Sequence, residues 1–268
     1  MLQPSFNLQP TEFNKDSAAW TDAVSQGNSL LSNFTNGSLP PVHPPAKLRK
    51  LQYVVFSVQD MVALVSTPGT RYIRAQFVLL PAQFGTVRFT VALFALDSQR
   101  GRISAYYAGG VTEGSMNPIP ITPPTTDPGG TGALPVDLVQ TWIAGWQDAP
   151  DVTPDIFSTN YGPLQGYIFE LDDFIDPLFP AGVTTDHELR VYFGLHSYQI
   201  TSANVTEQAS TMGLILSVQN KEAMQLPLTY RRNAVRLLDN TGASLTDGDD
   251  GFYDLSHPNP PGAPPAGS

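Results

Sequence analysis

Between residues 71 and 108, three successive segments place apolar side chains at every second position. In the first, Ile73, Ala75, Phe77 and Leu79 alternate with Tyr72, Arg74 and Gln76. In the second, Val87, Phe89, Val91 and Leu93 alternate with Thr86, Arg88 and Thr90. The cluster DSQRG at 97–101 reads as a turn, after which Ile103, Ala105 and Tyr107 resume the apolar parity. Side chains along a strand alternate between its faces, so each segment offers one face to a core and another to a different environment. The pattern predicts an antiparallel meander over 71–108, with 86–96 and 102–108 as its hairpin.

Elsewhere the chain reads as further β-structure with a few helices. LQYVVFSV (51–58) is apolar on both parities, as expected of a strand covered on both faces. QDMVALVST (59–67) predicts a short helix ended by Pro68 and Gly69. Further strands are expected at 164–171, 188–197, 211–219 and 226–238. Residues 109–133 are too dense in proline and glycine for regular structure and predict a long loop. Beyond it, Leu138, Trp142 and Trp146, four apart, predict a helix over 134–147.

The termini differ from this centre, giving an N-terminal segment (1–46), a β-rich core (47–238) and an acidic, proline-rich tail (239–268). In the first segment Phe13, Trp20, Val24 and Leu31 lie at helical spacing, with Thr11 or Asn14 as an N-cap, and LPPVHPP follows as an extended link. A helix with one apolar stripe must lie on something, either its own core or a neighbouring copy. The first twenty residues lack the basic and apolar regions of a signal peptide, which leans the expectation towards the cytoplasm. No run of about 18 apolar residues is present, so no membrane partner is expected.

Composition removes several chemistries. With no cysteine among 268 residues, thiolate metal sites, disulfides and cysteine nucleophiles are excluded. A net charge of −10 argues against nucleic acid as a partner, because phosphate affinity comes from clustered Lys and Arg. His187 and His196 differ by nine positions, which sends them to opposite faces of one strand. The phosphate-loop, dinucleotide-loop and G-x-S-x-G motifs are absent from the sequence. Two carboxylate clusters remain: Glu170, Asp172, Asp173 and Asp176 in FELDDFIDP, and Asp247, Asp249, Asp250 and Asp254 in DGDDGFYD. A carboxylate pair can run glycoside hydrolysis, and either cluster offers oxygen ligands to Ca²⁺. The favoured reading of both is turn chemistry, since Asp and Gly suit loops through their local hydrogen bonds. No other cofactor is implied.

The charges are also separated along the chain. Residues 47–102 carry eight basic and two acidic side chains, whereas 103–230 carry two basic and fourteen acidic ones. Arg74, Arg88 and Arg102 each fall on the polar parity of their strands, predicting an arginine-rich face. Such a face fits the acidic half of its own subunit, the acidic surface of a neighbour, or a small anion or acidic glycan.

The expected fold is therefore mainly β: an antiparallel two-layer sandwich with an N-terminal helix and one inserted helix. The expected function is that of a non-catalytic structural or interaction protein, self-assembling through the basic face (47–102) and the acidic region (103–230). The alternative is a glycan-active enzyme or a Ca²⁺-dependent carbohydrate-binding module built on the acidic clusters. In a module of that kind, Trp142, Trp146, Tyr106 or Tyr107 would stack on sugar.

Overall fold

The computed structural model describes residues 5–35, 50–81, 87–119, 136–159, 162–178, 187–202, 205–220, 235–238 and 256–258. The chain opens with β1 (Ser5–Leu8), α1 (Pro10–Ser25), the single turn α2 (Leu31–Phe34), β2 (Tyr53–Ser57) and α3 (Val58–Val65). The meander follows as β3 (Tyr72–Leu79), β4 (Phe89–Leu96) and β5 (Tyr106–Gly109). Next come α4 (Val136–Asp148), β6 (Ser158–Thr159), β7 (Gly162–Pro163), β8 (Gly166–Glu170) and α5 (Leu171–Leu178). The last elements are β9 (His187–Ser202), β10 (Val205–Asn220), β11 (Val235–Leu238) and β12 (Ser256–Pro258).

These strands form two antiparallel sheets, of order β1-β5-β4-β3-β8-β12 and β11-β10-β9-β2, and a separate β6–β7 pair. The fold is the expected antiparallel sandwich. Ile73, Ala75, Phe77 and Leu79 of β3 and Phe89, Val91, Leu93 and Ala95 of β4 face Leu189, Val191 and Phe193 of β9 and Leu214 and Leu216 of β10 in one buried core. The alternation in the sequence thus does what the pleat requires, sending one parity inward.

The outward faces are covered too. On the four-stranded sheet, Trp142, Ile143 and Val139 of α4 pack over Tyr53, Val55, Tyr192 and Ile215. On the six-stranded sheet, Phe13 of α1 stacks on Tyr106 at 3.8 Å between ring centroids and meets Phe94 edge-on at 5.4 Å. One turn pair further along, Trp20 of α1 enters the inter-sheet core. It donates Nε1–H to the Leu164 carbonyl at 2.9 Å and touches Phe34, Phe77, Phe89 and Phe157. The apolar stripe of the N-terminal helix therefore lies on its own core.

One corner joins the sheets. Gly110 and Val55 exchange both backbone hydrogen bonds at 2.9 Å, linking the end of β5 to β2. A side chain at Gly109 would place Cβ 2.8 Å from Val54, so this approach needs glycine. Gly166, where β8 leaves β3, has φ +146°, and a Cβ there would sit 1.9 Å from the Ala75 carbonyl oxygen.

The helix start differs from the N-caps expected at Thr11 or Asn14. Pro10 takes the first helical position and the Glu12 carboxylate accepts from the Gln9 N–H at 3.1 Å, so the cap is Gln9. The strands expected at 188–197 and 211–219 extend into a hairpin of sixteen paired positions, from His187↔Asn220 to Ser202↔Val205. Of the strand expected at 226–238, only β11 falls within the described residues, and the LPPVHPP link and most of the proline-rich loop lie outside them.

Candidate functional site

The arginines singled out in the sequence divide between two ends of the six-stranded sheet. β3 and β4 run antiparallel with Tyr72 opposite Leu96, so the start of β3 lies beside the turn after β4. At this end Arg74 lies over Phe94, its Cζ 5.8 Å from the ring centroid, and Arg102 lies over Tyr106 at 4.6 Å. Two arginines outside the sequence-based set join them. Arg71 and Arg100 both lie over Tyr72, at 6.0 and 5.8 Å. Four guanidinium groups thus stand on three neighbouring aromatic rings. Arg88 sits at the start of β4, at the opposite end, and donates Nε–H to the Leu80 carbonyl at 3.0 Å.

Local chemistry fixes this arginine cap. Asp97 holds the turn through its carboxylate, which accepts from Gln99 N–H at 2.9 Å and Gly101 N–H at 2.8 Å. The turn puts Arg100 at φ 61°, an uncommon conformation for a residue with a side chain. Arg102 is anchored by Nη1–H donation to the Ser104 carbonyl. Burial pushes the Arg74 guanidinium down to about 10, against the opposing pull of Tyr106. Arg71 makes a 3.8 Å contact with Glu170, with both side chains more than half exposed (56% and 54%).

At the far end of the sandwich, the described residues bring three carboxylates close to Lys50 and Arg88. The Arg88 N–H binds the Asn33 carbonyl, the Leu51 N–H that of Phe34, and the Leu30 N–H that of Val152. These bonds bring α2, the start of β2 and residues 151–155 together at the start of β4, about 27 Å along that eight-residue strand from the arginine cap. The C-terminus of α4 also ends here, where Asp148 and Asp155 are exposed and Asp151 is half-buried. Asp151 accepts from Ser29 and from the Val152 N–H. Lys50 lies inside this end at 2% exposure. Its Nζ donates to the Ala149 carbonyl at 2.6 Å and stands 4.9 Å from the Trp146 ring centroid. Burial pushes the Lys50 amine down to about 8, with Asp148 and Asp151 pulling the other way.

The remaining candidate residues do not converge. Glu170 is exposed at the end of β8 and Asp172 is exposed in the first turn of α5, while the side chains of Asp173 and Asp176 lie outside what the structure describes. Asp247, Asp249, Asp250 and Asp254 also lie outside the described residues. Among the described residues no group of three His, Asp or Glu is placed to hold a metal ion. His196 rests beside the Trp142 ring at 4.7 Å. Trp146 is wholly buried with Nε1–H bound to the Leu51 carbonyl, and Tyr106 is stacked under Phe13, so neither offers a face to a sugar. A second ion pair, Glu188–Arg190 at 2.7 Å, is buried under the outer face of the four-stranded sheet. Burial works against the Arg190 charge, but Tyr192, Tyr53 and Glu188 hold its pKa above the usual value.

No helix among the described residues is long and apolar enough to cross a membrane. No protein-family model, curated protein or solved structure matches this chain. The fold and its surface define an antiparallel β-sandwich with helical outer layers and charged ends.

Proposed function

We propose that the chain is a non-catalytic structural protein that works by associating with other proteins, in the first place with copies of itself. The observation that carries this reading is the fate of the separated charges. In a subunit that neutralised itself, the basic strands would meet the acidic half across the sandwich. Instead the described interior of the sandwich is apolar, and Arg71, Arg74, Arg100 and Arg102 gather on the outside of one end. Between described residues, Arg71 and Glu170 link the basic and acidic portions of the sequence through an exposed 3.8 Å contact. An exposed pair of this geometry contributes about 0–1 kcal/mol, too little to account for the separation.

A surface cluster of one charge favours encounter with an oppositely charged surface and sets the mutual orientation. The test is the light-scattering mass after size exclusion at low and high salt. Assembly through charged ends gives a mass well above 29.0 kDa that falls as salt rises. A salt-independent monomer over a wide concentration range overturns the reading.

A further inference from the structure

We infer that Asp16 makes the seating of α1 on the six-stranded sheet a pH-sensitive clasp, loosest when the carboxyl is charged and tightest when it carries a proton. The inference concerns the N-terminal helix alone and is independent of association.

Asp16 stands where a charge is poorly served. Phe13, Asp16, Trp20 and Val24 form the buried stripe of α1, and Asp16 is only 4% exposed. One turn before it Phe13 stacks on Tyr106, and one turn after it Trp20 enters the core, so both neighbours on the stripe anchor the helix. A buried carboxylate is ordinarily hydrogen-bonded or ion-paired. Among the described residues Asp16 has neither kind of partner. The next residue, Ser17, does have one, accepting from Gln76 Nε2–H at 3.1 Å. Asp16 is also the seventh of sixteen residues in α1, too far from either end for a free backbone N–H or the helix dipole to help it.

The charges that face Asp16 are Glu12 and Lys15 on its own helix and Arg88 at the start of β4. Of the other elements packed on α1, β3 carries Arg74, held over Phe94, and β5 carries Tyr106 under Phe13. The turn 154–157 carries the exposed Asp155, and β7 carries no charged residue. Burial outweighs the pull of Lys15 and Arg88, with Glu12 adding to it, so the carboxyl is held above its ordinary value of 3.8. An unfolded chain has that ordinary value. Between 3.8 and the higher folded value, therefore, the folded state holds the extra proton. The contribution of Asp16 to stability is least favourable above this window and improves as pH falls through it. That sense is opposite to the paired carboxylates through which acid usually unfolds proteins.

Hydrogen exchange of the α1 amides in the full chain tests this, read by mass spectrometry at neutral pH and again as the pH is lowered towards 3.8, with intrinsic rates corrected for pH. Asp16→Asn keeps the shape of the side chain without its charge, and Asp22→Asn makes the same change at an exposed position of the same helix. At neutral pH, Asp16→Asn should exchange more slowly than the unaltered chain across residues 10–25 and melt at a higher temperature. Both differences should shrink as the pH falls, because the unaltered carboxyl then becomes neutral too, whereas Asp22→Asn should reproduce neither. Titration of the Asp16 carboxyl by NMR in the unaltered protein should give a midpoint above 3.8, and it decides the matter if Asp16→Asn does not fold. A midpoint at or below 3.8 overturns the inference. So does a folded Asp16→Asn with no slower exchange at neutral pH, an advantage that persists undiminished in acid, or an equal effect from Asp22→Asn.

Discussion

At the scale of single residues, the buried side chains with polar duties make the sharpest predictions. Trp20 is completely enclosed and its indole N–H is bound. Trp20→Ala should destabilise the protein by about 3–5 kcal/mol, read as a lowered urea midpoint. Gly166→Ala leaves Cβ and a backbone oxygen in the same space, and a strongly lowered melting temperature is expected, whereas Gly27→Ala meets no neighbour within 4 Å and carries only the cost of its left-handed φ of +73°. Lys50 predicts a pH effect of definite sign. Its amine has a pKa near 8 in the folded protein against 10.5 in an unfolded chain, so between those values the unfolded state holds the extra proton. Stability therefore rises with pH across about 8 to 10.5, by up to about 1.4 kcal/mol per pH unit from this group. Lys50→Met should lack that slope when urea midpoints of the two proteins are compared across the window. The sequence showed which alternating residues form the core but gave no sign of Lys50. It stands in the basic run KLRK, and only the convergence of β2, α2 and the α4 C-terminus encloses it. Arg71 and Arg100 were likewise missed as partners of Arg74, because the ring they share is visible only once β3 and β4 are paired.

At the scale of elements, the N-terminal helix is part of the core as well as of the chain's beginning. Deleting residues 5–25 removes Phe13 from one sheet face and Trp20 from the space between the sheets. The shortened chain should show no cooperative thermal transition by circular dichroism. The meander, α3, α4 and the two-sheet architecture were legible because their apolar periods run for eight or more residues. Several short elements were not, β1 and α5 among them. β1 is only four residues long, too short to show a period, and α5 begins directly at the end of β8, so FELDDFIDP gives no break between strand and helix. The β9–β10 hairpin outruns its expected bounds because Ser, Thr and Gln dilute the apolar pattern after Leu195. A similar pattern recurs in RYIRAQFVLL and HELRVYFGLH. Both became interior strands of opposite sheets, with Arg74 over Phe94 and Arg190 over Tyr53.

At the scale of the whole molecule, stability and association should separate. Arg71→Ala removes an exposed ion pair, so the melting free energy should stay within about 1 kcal/mol while the low-salt mass falls. The charge split was plain in the sequence; the gathering of four arginines at one end of the six-stranded sheet was not, because it depends on which strand ends lie together. The pairing pattern also bears on the order of events during synthesis. Tyr53 pairs with Tyr192, Trp20 needs the Leu164 carbonyl and Leu30 needs that of Val152. Residues made earlier thus wait for partners made more than a hundred positions later. At about 5–20 residues per second, the interval between Tyr53 and its partner is roughly 7–28 s. The arginine cap belongs to strands whose edge partner β8 is completed late in that interval. A nascent chain therefore lacks a finished arginine cap until β8 has been made, and the wiring of the sheets alone sets that order.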